Sequence, residues 1–328
     1  MNGGQVSDFG RLPDGGKVAR VTLRSDRLCV NVLSLGAILQ EVRLADGPSL
    51  VTGFPDLAPY LGDMRYCGAI VGPVAGRLSG AEAMIGAQLW RFKPNEGRHL
   101  LHGGAGGLHA RLWQIADLGP AHVTFRLKLG HCEGGFPGAR LFEARYSVAE
   151  NRLALDLVSR SDRPTLANLA PHAFWNLRGQ GGLQGHVLRV AADEILPLGP
   201  DRCPLGAPVP VSGPFDLRAG RALGEGAAYD HCFCVAPARR ALRPVARLSL
   251  PGDPRAPSLE MATTEPGLQI YDAARHPERP FFGVALESQC WPDAPRHAGY
   301  PSILLEPEEG ARVQRTVWTL HEDAEGSP

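Results

Sequence analysis

The chain has 328 residues, with 34 Lys+Arg balanced by 34 Asp+Glu, and 44% of it is hydrophobic. A formal net charge of zero gives no long-range pull toward nucleic acid or anionic lipid, and no basic run replaces it. No apolar stretch approaches the length of a membrane span.

The amino terminus, "MNGGQVSDFG", has no basic n-region and no apolar stretch. The chain therefore reads as soluble, unexported and cytoplasmic. Forty glycines and 29 prolines punctuate short segments with alternating polarity. "KVARVTLRS" (17–25) is the first of these, and "DLAPYLGDM" (56–64) suggests a short helical turn. In "HVTFRLKLG" (122–130), Val123, Phe125, Leu127 and Leu129 alternate with Thr124, Arg126 and Lys128. "RLFEARYSV" (140–148) and "RLALDLVSRS" (152–161) follow the same period, and Leu153, Leu155 and Leu157 share one face. Period two argues half-buried strands. The proline- and glycine-rich stretch 197–214 reads as a long surface loop, and "GRALGEGAA" (220–228) as a second helical turn. "ARVQRTVWTL" (311–320) is a last strand, and "HEDAEGSP" (321–328) a disordered tail. Many strands and few helices suggest a large antiparallel sandwich.

Seven cysteines are scattered without a C-x-x-C pair. Cys232 and Cys234 lie two apart, on the same side of any strand. They read as free thiols in a reducing compartment. The eleven histidines include no H-E-x-x-H and no cysteine–histidine ligand spacing, so no metal is expected. "HGGAGG" lacks the G-K-[ST] ending of a phosphate loop, and no G-x-S-x-G elbow occurs.

Four stretches carry chemistry-bearing residues. "NEGRHLLHGG" (95–104) sets His102 before a glycine pair, which lets backbone and ligand approach closely. "NLAPHAFWNL" (168–177) puts His172 among apolar residues, and "YDHCF" (229–233) sets Asp230 beside His231. "FFGVALESQCWPDA" (281–294) ends an apolar run on Glu287. A carboxylate there is partly desolvated, and its pKa rises toward the range useful for proton transfer. Each has a plainer reading: a hydrogen-bonded core histidine, a strand-edge glutamate, a turn aspartate.

Together, and in order, these stretches resemble the aldose 1-epimerase (galactose mutarotase) family. "NEGRHLLHGGAGGLHARLW" is similar to the family's N-G-x-N-x-L-H-G-G segment with its downstream Trp, here Trp113. "CEGGFPGARLFEARYSV" resembles G-x-x-G-[FY]-P-G and its strand, and "TLANLAPHAFWNLRG" resembles T-x-x-N-L-T-N-H-S-Y-F-N-L-x-G. "VSGPFDLR", "YDHCFCV", "TEPGLQIYDA" and "LESQCWPDAPRHAGYPSILLEP" match four further segments. The matches run from about Gly72 to Pro307.

The resemblance implies a large, mostly antiparallel β-sandwich (a galactose mutarotase-like supersandwich) with few short helices, as one domain over 1–320. It implies a sugar groove on one face, no cofactor, and interconversion of the α and β anomers of a free aldose. Glu287 matches the family's general base for the anomeric hydroxyl, and His172 its general acid for the ring oxygen. His102, Arg77 and Asp230 match sugar-binding positions, and Gln269 lies in the matching groove segment. The implied partner is a small-molecule aldose, without nucleic acid or membrane, on a monomer or homodimer.

The chain departs from the family pattern at several places. In "GPVAGRL", Pro73 and Gly76 replace the usual Arg and Asn beside the retained Arg77. Pro171 replaces the Asn before His172, Trp175 an aromatic neighbour, and Cys232 the Asn of Y-D-H-N-F. Loss of polar groups near the sugar bears on any preference for galactose. Trp175, Tyr271 and Trp291 each fit either the sugar face or the core. Two alternatives stay open: a hexose-6-phosphate 1-epimerase using the basic cluster Arg239, Arg240 and Arg243, and a non-catalytic carbohydrate-binding β-sandwich.

Overall fold

A computed structural model describes residues 4–224 and 226–322. The alternating segments become a nine-stranded sheet, in spatial order Gln114–Gly119, His122–Leu129, Arg140–Ala149, Arg152–Ser161, Arg312–His321, Ser258–Thr263, Arg243–Ser249, Val187–Val190 and Arg221–Ala222. A six-stranded sheet follows the order Phe174–Trp175, Val284–Gln289, Gly267–Tyr271, Asp230–Cys234, Glu194–Ile195 and Val209–Pro210. Pairing within both sheets is antiparallel. Four N-terminal strands between Gln5 and Leu44 form a third antiparallel sheet. The only α-helix among the described residues is the single turn Ala58–Leu61, where 56–64 suggested one.

The core lies between the two large sheets. Leu153, Leu155, Leu157 and Phe125 of the nine-stranded sheet share one apolar cluster with Phe233, Leu268, Ile270, Val284 and Leu286 of the six-stranded sheet. Side chains alternate between sheet faces, so alternate residues on these strands necessarily point away from that cluster. The fold is thus the β-sandwich that the alternation suggested.

Two local expectations change. Among the described residues of 220–228 no helical turn forms; Arg221–Ala222 pairs as an edge strand with Val187–Leu188. Gly220 and Gly224 have φ of 88° and 90°, which a right-handed helix cannot contain. At the C-terminus, His321 still belongs to the last strand, and residues 323–328 of the expected tail lie outside the described residues. All seven cysteines are free.

Candidate active site

The face of the six-stranded sheet turned away from the core carries the polar residues. In Gly267–Tyr271, Leu268 and Ile270 enter the core, so Gln269 and Tyr271 face the other way. In Val284–Gln289 the same period turns Leu286 inward and Glu287 outward. Cys232 opposes Gln269 and Gln269 opposes Glu287, while Asp230 starts the third strand opposite Tyr271. Register alone therefore sets Asp230, Gln269 and Glu287 on one face of adjacent strands.

Loops from the other half of the chain close over this face. His172 sits between two short pairings, Ala170–Pro171 with Ile70–Val71 and Phe174–Trp175 with Val284–Ala285. Its N–H donates to the Ala69 carbonyl and its carbonyl accepts from Gly68, both at 2.9 Å, so its backbone is fixed from both sides. Arg77 pairs with Leu101, which brings the guanidinium beside His102. His102 has φ of 51° and donates its N–H to the Gly76 carbonyl at 3.0 Å. The next residue must be glycine: at Gly103 (φ 79°) a Cβ would lie 2.1 Å from the Gly72 carbonyl oxygen. That is the structural meaning of "HGG".

These elements surround an open cavity of about 240 Å³. Glu287, His172, His102, Arg77, Asp230 and Gln269 all line it. So do Tyr66, Glu96 and Arg202, which sequence reasoning did not single out. Tyr66 packs its ring 4.9 Å from His102 and 6.1 Å from His172. Arg202 comes from the 197–214 loop, which stays largely at the surface, as expected, and folds back through a Leu198–Pro204 bridge. Of the three aromatic residues left open, Tyr271 lines the cavity. Trp175 is fully buried against Trp318, and Trp291 packs on Tyr300. Among the departures from the family pattern, Gly76 reaches the cavity, whereas Pro73, Pro171, Trp175 and Cys232 do not line it.

The centre of the cavity is a close acid–base pair. His172 Nε2 stands 3.5 Å from Glu287 Oε1, with both side chains buried. His172 Nδ1 and Glu287 Oε2 are buried without a hydrogen-bond partner. Such orphaned groups are costly, and in a cavity they mark places where a ligand can bond. Burial drives the two pKa values in opposite directions. Glu287 is pushed well above the ordinary carboxylate range by desolvation, reinforced by Asp230 and opposed by Arg77. His172 is lowered to about 4, again by desolvation. Both shifts favour the neutral forms, and the two groups titrate as a pair.

Folding also assembles two donor groups that spacing did not reveal. Ligand atoms of His102, His172 and Glu287 lie within 4.8 Å of one another, as do those of His99, Asp201 and Cys203. A backbone N–H donates to Nδ1 of His102 (from Gly76) and of His99 (from Gly80), each at 3.2 Å. Nδ1 is then the acceptor, and the ring proton sits on Nε2. Neither ring keeps a free lone pair for a metal while that bond stands, and metal-bound histidine needs the opposite arrangement. His102 instead offers an N–H donor to the cavity.

Comparison with known proteins places this architecture. The aldose 1-epimerase family model matches residues 19–316. A galactose mutarotase of Mus musculus is 32% identical over 336 residues, covering 94% of this chain and 96% of that one. An aldose 1-epimerase of Escherichia coli is 28% identical and covers 90% and 94%. The crystal structure of an aldose epimerase homologue from C. elegans superposes with a TM-score of 0.85 at 26% identity, over 93% of this chain and 99% of that one. Matched along nearly its whole length in sequence and in fold, the chain belongs to the aldose 1-epimerase family and is an isomerase.

Proposed function

We propose that this enzyme interconverts the α and β anomers of a free aldose, with Glu287 as base and His172 as acid. The observation that carries the reading is the pair at 3.5 Å lining the cavity, whose remaining atoms Nδ1 and Oε2 are buried without partners. Mutarotation needs a base for the anomeric hydroxyl and an acid for the ring oxygen, both reaching one small molecule.

In the reactive state the single proton of the pair lies on His172, leaving Glu287 ionised. Sugar hydroxyls, the His102 N–H and Arg77 stabilise that charge separation. Glu287 takes the proton of the anomeric hydroxyl as the bond from C1 to the ring oxygen breaks. His172 delivers its proton to the ring oxygen. The open aldehyde rotates about C1–C2 and the steps reverse on its other face. Each residue ends as it began, and no electron carrier is needed.

Charge supports a neutral substrate. Four carboxyl side chains (Asp63, Glu96, Asp230 and Glu287) line the cavity against two guanidinium groups, Arg77 and Arg202. Arg202 already faces Asp230 at 3.5 Å, and Arg77 is paired with Glu96. Arg239, Arg240 and Arg243 do not line the cavity. Arg239 pairs with buried Glu265, and Arg243 donates to backbone carbonyls of Thr263, Val235 and Glu265.

The test follows fresh α-glucose, galactose, xylose and arabinose by polarimetry, with glucose 6-phosphate as comparator. Accelerated exchange of a free aldose is the expected result. Activity restricted to the phosphate would overturn the substrate class, and sugar binding without acceleration would overturn catalysis.

A further inference from the structure

Arg77 lies between two carboxylates. Its Nε and Nη2 donate to the two oxygens of Glu96 at 2.5 and 2.9 Å, a fork-to-fork pair. Its Nη1 stands 3.9 Å from Asp230 Oδ2. Asp230 also accepts from the Gln269 amide at 2.9 Å. All four residues line the cavity. A bidentate carboxylate fixes the plane of a guanidinium as well as its position. With Glu96 in place, the Nη1 edge of Arg77 faces Asp230 without closing a fork on it. Without Glu96, the nearest carboxylate for the freed N–H groups is Asp230. Asp230 Oδ2 already faces Arg202 at 3.5 Å, so a fork from Arg77 would take up the remaining capacity of the Asp230 oxygens for a sugar hydroxyl.

We propose that Glu96 is a positioning residue. It holds Arg77 off Asp230 so that both stay available to sugar hydroxyls, and it thereby sets the affinity of this end of the pocket. The proposal rests on reading the cavity as a sugar site, so its test is separated from turnover.

The experiment titrates wild type, Glu96→Ala and Glu96→Gln with 1,5-anhydroglucitol by NMR; this cyclic sugar has no anomeric hydroxyl and cannot react. Glu96→Ala should bind about tenfold more weakly. Glu96→Gln keeps the side-chain length and one acceptor oxygen, so it should lose less. In mutarotation the loss should appear in KM more than in kcat, a split that general destabilisation would not produce. Both variants binding within about twofold of wild type would overturn the proposal. So would a fall in kcat at unchanged KM. Wild type that binds the analogue without accelerating anomer exchange would sink the assigned reaction alone, and the titration would still decide the role of Glu96. Wild type that does not bind the analogue would overturn both.

Discussion

Two buried histidines and two buried glutamates separate packing from chemistry in this molecule. His186 and His172 are both buried, and burial lowers both to about 4. His186 has both ring nitrogens satisfied: Nδ1 bonds the Leu183 carbonyl at 3.1 Å, and Nε2 accepts from the Leu177 N–H at 3.0 Å. His172 has an orphaned Nδ1 and faces a carboxyl group with Nε2. Glu265 and Glu287 repeat the contrast. Glu265 holds Arg239 with both oxygens at 3.0 and 3.1 Å, whereas Glu287 has no Lys or Arg within ion-pair distance among the described residues, faces His172 at 3.5 Å and keeps an unpartnered oxygen. Burial and pKa direction do not distinguish the members of each couple. The hydrogen-bond account does: groups that hold the fold are satisfied by it, and groups left open are available to a ligand.

The largest expected effect breaks this comparison at the glutamates. Glu287→Gln should lower kcat about 1000-fold and leave the melting temperature near wild type, because the amide keeps the side-chain shape and one Glu287 oxygen had no partner in the fold. Glu265→Gln should do the reverse. It leaves Arg239 without its charge partner and should cost about 3 kcal/mol in denaturant melts, with kcat of the folded enzyme retained.

The histidines give the next effect. His172→Asn should slow exchange about 100-fold with little change in stability. His186→Leu strands the Leu177 N–H and the Leu183 carbonyl, and should cost about 2 kcal/mol with kcat intact. A large activity loss in His186→Leu at full folding would undo the distinction.

Changes in pH should separate the pair from the rest of the fold. The reactive pair needs one proton, so kcat/KM should fall as pH drops through about 4, where His172 holds a proton even beside a protonated Glu287. It should fall again as pH rises through the raised pKa of Glu287. For stability, His109, His172 and His186 are each lowered by burial to about 4 from the ordinary 6.5. The unfolded chain binds these protons first, so the stability each histidine contributes is complete above 6.5 and is lost as pH falls toward 4. Buried Glu265, Asp272, Glu287 and Asp293 are raised and act in the opposite sense. The histidine share is therefore read as the difference in acid limb between wild type and His186→Leu, and no difference would contradict it.

The smallest effect concerns the aromatic residues. Trp175→Phe removes core volume against Trp318, so it should cost about 1 kcal/mol and leave KM within about twofold. Tyr271→Ala, in the cavity wall, should raise KM instead.

Much of this was legible in the sequence, for identifiable reasons. Period-two alternation in 122–130 and 152–161 needs no partner to be read, because one face of a strand is buried wherever that strand pairs. Glu287 stood out because it interrupts an apolar run. Strand order was not legible: nothing local in "ARVQRTVWTL" says that it lies between Arg152–Ser161 and Ser258–Thr263. Glu96 and Arg202 were passed over because a charged side chain in a polar loop looks solvated until its partner is known. Their partners, Arg77 and Asp230, come from other segments. The resemblance to a family supplied the roles proposed for His172 and Glu287, and the structure adds that the two side chains meet at 3.5 Å in the cavity.

The most direct test is a side-by-side polarimetric rate for Glu287→Gln and Glu265→Gln on the best free aldose, with both proteins confirmed folded. The account predicts loss of nearly all acceleration in Glu287→Gln and retention in Glu265→Gln. Wild-type exchange by Glu287→Gln would contradict it.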